Sequence, residues 1–165
     1  MIYEFCAENV TLLEKAMQAG ARRIELCDNL AVGGTTPSYG VTKAAVELAA
    51  NYDTTIMTMI RPRGGDFVYN DLEIDIMLED IRLTAQAGSQ GVVFGVLTAD
   101  KKLDKPNLEK LIAASKGMEI VFHMAFDELS EEDQLEAIDW LSQAGVTRIL
   151  TRAGVSGDSL DKRFA

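Results

Sequence analysis

The segment Gln18-Ala19-Gly20-Ala21-Arg22-Arg23-Ile24-Glu25-Leu26-Cys27 decides the fold. An Ala-Gly step closes a helix-like stretch, and a short strand-like run starts a few residues later. The same pattern returns at Gln86-Ala87-Gly88 before Val92 and at Gln143-Ala144-Gly145 before Ile149. Glycine after a helix supplies the left-handed cap that turns the chain back toward a strand. Repeated helix, cap and strand units define a parallel β/α protein. Worked outward, the periodicity predicts strands over Ile2–Ala7, Arg23–Cys27, Thr55–Ile60, Gly91–Leu97, Glu119–Ala125 and Arg148–Thr151. Helices are predicted between them over Val10–Ala19, Val41–Asn51, Asp71–Ala87, Asn107–Ser115 and Glu131–Ala144. Residues 1–165 read as a single domain, with no linker or low-complexity stretch.

Six such units fit a doubly wound open sheet or a (β/α)8 barrel without its last two units. Strand parity separates the two. With Tyr3, Phe5, Ile24, Leu26, Ile56 and Ile60 toward the helices, Glu4, Cys6, Glu8, Arg23, Glu25, Cys27, Met57, Met59 and Arg61 face the other way. A sheet covered by helices on both faces reads as continuously apolar strands. Charges on one face favour a barrel interior instead. No Gly-x-Gly-x-x-Gly follows the first strand, against a dinucleotide site. The expectation is a TIM-type α/β barrel with only six βα units, its C-terminal units missing. Ile2–Ala7 and Arg148–Thr151 become unpaired edges. Either the chain is a fragment of a longer barrel or it forms a homo-oligomer to cover the gap. The tail Gly154–Ala165 is too short for two more units, which favours a fragment.

Composition narrows the partners. Lys and Arg number 16 against 26 Asp and Glu, a net charge of −10. Such a surface repels phosphate backbones and anionic lipid, so nucleic-acid and membrane roles are disfavoured. No run reaches the roughly 18 apolar residues of a membrane span. The two cysteines, Cys6 and Cys27, are too few for a secreted disulfide framework and read as cytoplasmic thiols.

Several blocks fall at predicted strand ends, where barrel sites are built. They are Arg23-Ile24-Glu25-Leu26-Cys27 with Gly33-Gly34-Thr35-Thr36-Pro37-Ser38, then Ile60-Arg61-Pro62-Arg63-Gly64-Gly65-Asp66-Phe67. Val92-Val93-Phe94-Gly95 and Phe122-His123-Met124-Ala125-Phe126-Asp127 complete the series. In type and order these blocks resemble the CutC family of copper homeostasis proteins, from Cys6 to about Thr151. The resemblance implies a TIM-type barrel, a cytoplasmic location and a role in copper handling. It attaches no enzymatic reaction to the fold, so whether the chain is an enzyme stays open. Where the family has an arginine after the histidine this chain has Met124, and Arg152 follows the sixth strand.

Cys6 and Cys27 share a face on neighbouring strands. Their thiolates are soft donors suited to Cu(I), with Met57 and Met59 as nearby thioethers and His123 as a further donor. The plainer alternative is two small buried hydrophobes; there is no Cys-x-x-Cys motif. A second function class is an enzyme acting on a small anionic ligand bearing phosphate or carboxylate. Arg61, Arg63 and Asp66 would then shape the anion site. The only histidine, His123, would move protons with Glu25 or Asp127. The alternative for these groups is an internal ion network joining Arg23 and Arg61 to Glu8, Glu25 and Asp66. Tyr69 and Trp140 read as packing residues.

Overall fold

The computed structural model describes residues 1–152. Six strands form one sheet: β1 (Glu4–Glu8), β2 (Arg23–Cys27), β3 (Thr55–Met59), β4 (Gly91–Phe94), β5 (Glu119–Phe122) and β6 (Arg148–Ile149). Their spatial order is their chain order, and every neighbouring pair is parallel. A doubly wound sheet reverses order at a switch point. An unreversed series is barrel topology, left unclosed here: β1 and β6 are the two edges among the described residues.

The helices are α1 (Leu13–Gln18), α2 (Tyr39–Ala49), α3 (Asp71–Ala87), α4 (Lys105–Ala114) and α5 (Glu131–Gln143). Their starts follow from local chemistry. Ser38 and Ser130 accept hydrogen bonds from Val41 N and Asp133 N, and Asn70 with Glu73 forms a reciprocal capping box on α3. Gly88 ends α3 at φ +88°, as the Ala-Gly repeat predicts. The first helix starts later than its periodicity suggests, because Asn9 and Leu12 adopt left-handed backbone before it. β4 and β5 end earlier than expected. Beyond β5 the chain leaves the sheet in a 3-10 turn over Met124–Glu128.

Parity sorts the core as the alternation requires. Ile24, Leu26 and Ile56 pack outward with Leu13, Met17, Ala45 and Ala49. Val92, Phe94, Ile120 and Phe122 do the same against Ile74, Met77, Ile81, Leu108, Leu111 and Leu141. The opposite face carries its own buried cluster of Cys27, Met57, Met59, Val93 and Val121. Arg148 Nη2 on β6 donates to Met57 Sδ on β3 at 3.6 Å. In a flat sheet those strands lie about 14 Å apart, so the contact spans the hollow of a curled sheet. Gly91 makes room for it: a Cβ there would strike Met57 and lie 2.7 Å from the Glu119 carbonyl oxygen.

Tyr3 and Phe5 follow the predicted parity but are not buried by helices. Both are exposed, whereas Ala7 further along the same face of β1 is buried with Leu13 and Met17 of α1. The tail Gly154–Ala165, on which the fragment expectation drew, lies outside the described residues.

Candidate metal centre

The concave face is layered by register. At the strand starts, Glu4 pairs with Arg23 at 3.1 Å and Glu119 with Arg148 at 2.6 Å. Of the two cations predicted for an inner network with Glu25, Arg23 is thus taken by Glu4. In the next layer Cys6 sits opposite Glu25, and Glu25 opposite Met57. Cys27 stands two residues further along β2.

These three side chains converge. Cys6 Sγ lies 4.0 Å from Cys27 Sγ. Cys6 donates to Glu25 Oε1 at 3.4 Å and Cys27 to the same oxygen at 3.8 Å. The donor atoms all lie within 4.8 Å of one another. Cys27 and Glu25 are buried while Cys6 is exposed, so the group opens to solvent on the β1 side. Burial raises the Glu25 carboxyl above its ordinary range, against the pull of the thiol hydrogen bonds. The bond with Cys6, burial and the Glu25 charge all push the Cys27 thiol upward. The buried Cys27 thiol therefore rests protonated beside the carboxyl. Met59 packs in the same cluster as Cys27, and a Cβ on Gly34 would come within 3.1 Å of Cys27 Sγ. The Gly33-Gly34 loop thus closes directly over the buried thiol.

The other predicted site residues divide. Arg61 is buried at the end of β3, and its guanidinium donates to the carbonyls of Val32, Gly34 and Gly65. Arg63 turns away from it and pairs with Glu73 and Asp66. Those contacts raise the Arg63 value and hold Asp66 and Glu73 below their usual range. Glu8 accepts from Leu30 N at 2.6 Å. His123 is buried, and its Nδ1 accepts from Ala125 N at 3.2 Å. Burial first, then the Arg61 charge, lowers its pKa to about 3. His123 is thus a neutral group, not a base poised near neutrality. Neither Glu25 nor Asp127 hydrogen-bonds to it. Asp127 instead accepts from Thr151 and from Arg152 N. The Arg152 guanidinium donates to Met124 Sδ at 2.7 Å. Sequence reasoning missed Tyr69, read as packing: its buried hydroxyl lies beside Arg61. The adjacent Arg61-to-Phe67 block was the available signal.

A curled, parallel β/α sheet with two thiols and a carboxyl meeting on its concave face defines a barrel-type protein with a candidate soft-metal centre. The chain belongs to the CutC family, whose model matches residues 1–163. A family protein CutC of Enterococcus faecalis is 53% identical over 164 residues, covering 99% of this chain and 78% of the relative. A crystal structure described as a copper homeostasis protein CutC from Streptococcus agalactiae superposes with TM-score 0.95 at 47% identity. It covers 99% of this chain and 78% of that one. An archaeal fructose 1,6-bisphosphate aldolase matches at TM-score 0.61 and 16% identity, over 84% of this chain and 52% of its own, a likeness of fold alone.

Proposed function

We propose that this chain binds Cu(I) through Cys6 and Cys27 and serves copper homeostasis in the cytoplasm, where thiols stay reduced. The observation that carries the reading is the 4.0 Å approach of the two sulfurs. Thiolate–metal bonds run to about 2.3 Å each, so one ion bridges sulfurs up to about 4.6 Å apart. A disulfide fits less well. The two cysteines are offset by two residues on adjacent strands, which puts their Cα atoms about 8 Å apart, beyond the reach of an unstrained bridge. The family membership and the copper homeostasis description of the streptococcal relative point the same way. No helix among the described residues is long and apolar enough to cross a membrane.

The residues divide the work. Cys6, exposed, meets an incoming ion first. Cys27, buried under the Gly33-Gly34 loop, completes the two-sulfur grip from the side shielded from water. Binding as thiolate releases the thiol protons. Glu25 Oε1, within hydrogen-bonding reach of both sulfurs, is placed to take one. Two thiolates and one monovalent cation leave a net negative charge, which favours a protonated Glu25 beside them.

The test is a Cu(I) titration against a competing chelator. Cys27→Ser and Cys6→Ser should each weaken binding by orders of magnitude, because a hydroxyl is a poor soft-metal ligand. A double Cys→Ser variant that binds as tightly as wild type overturns the reading.

A further inference from the structure

Arg61 is buried where the other arginines of the concave face, Arg23 and Arg148, are half-buried. Arg23, Arg61 and Arg148 each leave Nε buried without a hydrogen-bond partner. Arg23 and Arg148 nevertheless hold a carboxylate through another nitrogen. Arg61 holds only carbonyl oxygens. A guanidinium removed from water normally faces a counter-charge. Its absence stands out in a chain with ten more acids than bases. Asp66, the nearest acid in sequence, is given to Arg63.

Two further buried donors gather at the same place, the Tyr69 hydroxyl and His123 Nε2, and neither has a protein partner among the described residues. The Tyr69 phenol is raised by burial and pulled back chiefly by the adjacent Arg61. With His123 Nδ1 accepting from Ala125 N, the neutral ring carries its proton on Nε2. The Arg61 cation and two neutral groups able to donate are thus drawn together, with Arg63 stacked 5.2 Å over the Tyr69 ring and no carboxylate among the described residues hydrogen-bonded to Arg61, Tyr69 or His123. Unmade hydrogen bonds of this kind are costly, and their clustering at the carboxyl end of the strands is where barrels bind ligands. The chain makes local room for the group. A Cβ on Gly95 would come within 2.6 Å of the His123 ring.

Phe67 covers the cluster. Its ring centroid lies 4.9 Å from Arg61 Cζ and 4.9 Å from the His123 ring. Phe67 also lines a cleft of about 440 Å³ with Leu97, Thr98, Asp66, Lys101 and Glu128. We propose that Arg61, Tyr69 and His123 bind a small oxyanion, the phosphate or carboxylate group of a small molecule, which enters when Phe67 swings aside. A buried site behind a single ring admits a small ligand and not a macromolecule. The proposal is independent of copper binding, since no member of the cluster touches Cys6, Glu25 or Cys27.

The single histidine makes the test direct, because the metal-free protein has one imidazole signal in its NMR spectrum. Inorganic phosphate and acetate are titrated separately, with potassium chloride at matched ionic strength as control. One of the two anions should shift the signal saturably, and which one does so distinguishes a phosphate from a carboxylate site. Tyr69→Phe removes only an unpaired hydroxyl and should fold normally. It should weaken binding roughly ten- to a hundredfold, the worth of a hydrogen bond to a charged group. Phe67→Ala controls for access, and binding seen only in that variant supports the proposal with Phe67 as the gate. The proposal is overturned if neither anion gives a saturable shift in wild type and Phe67→Ala. It is equally overturned if Tyr69→Phe binds as tightly as wild type.

Discussion

His123 should make the protein lose stability in mild acid. Its pKa falls from an ordinary 6.5 to about 3 in the folded state. Between those values the unfolded chain binds a proton that the folded chain refuses, so stability falls as pH drops. Each pKa unit corresponds to about 1.4 kcal/mol. From pH 7 to pH 5 the imidazole therefore removes about 2 kcal/mol, a large share of the roughly 5–15 kcal/mol of a typical domain. The carboxylates held low, among them Asp66, Glu73 and Asp133, act in the same direction but at lower pH. Glu25 and Asp80, raised by burial, act in the opposite direction. Comparison with His123→Gln cancels all of these. Urea unfolding of both proteins at pH 7 and pH 5 gives the double difference. Wild type should lose about 2 kcal/mol more than the variant. Equal losses would show that His123 takes up a proton as readily in the fold as outside it, and the description of a neutral, sealed imidazole would fail.

Other substitutions probe the close approaches. Gly91→Ala drives a methyl group into backbone at the Glu119 carbonyl and should cost more than the roughly 1–3 kcal/mol typical of overpacking, measured by thermal melting. Gly95→Ala meets the His123 ring and Ala125 Cβ rather than backbone, so it should cost less than Gly91→Ala while shifting the imidazole NMR signal. Asn70→Ala removes one half of the α3 capping box. It should cost about 1 kcal/mol and leave Cu(I) affinity unchanged. Because both thiols must lose their protons and the Cys27 thiol is pushed upward, Cu(I) affinity should rise with pH, and loading should release protons measurable in a weakly buffered titration. A pH-independent affinity would place the metal elsewhere.

The architecture was legible because its signals are local. Three Ala-Gly caps marked the units, and strand parity put Cys6, Glu25 and Cys27 on the face opposite Ile24 and Leu26. Strand adjacency then sufficed to bring the two sulfurs together. What stayed hidden depends on partners chosen in three dimensions. Arg61 and Arg63 look equivalent in sequence, but Glu73 serves both the Asn70 cap and Arg63, which draws Arg63 out of the interior. The loss of basicity at His123 comes from complete burial and a neighbouring guanidinium, neither of which a lone histidine code reveals. Tyr69 resembled any core tyrosine, since only its missing hydrogen bond marks it. Tyr3 and Phe5 are exposed while Ala7 on the same face is buried by α1, a difference along one strand that alternation does not report.

X-ray absorption at the copper edge, on protein loaded with one equivalent of Cu(I), bears most directly on the proposed role. Two sulfur scatterers should dominate the first shell in wild type, and one should be lost in Cys27→Ser. A first shell of nitrogen and oxygen alone, or a sulfur signal unchanged by that substitution, would contradict a metal centre built on Cys6 and Cys27.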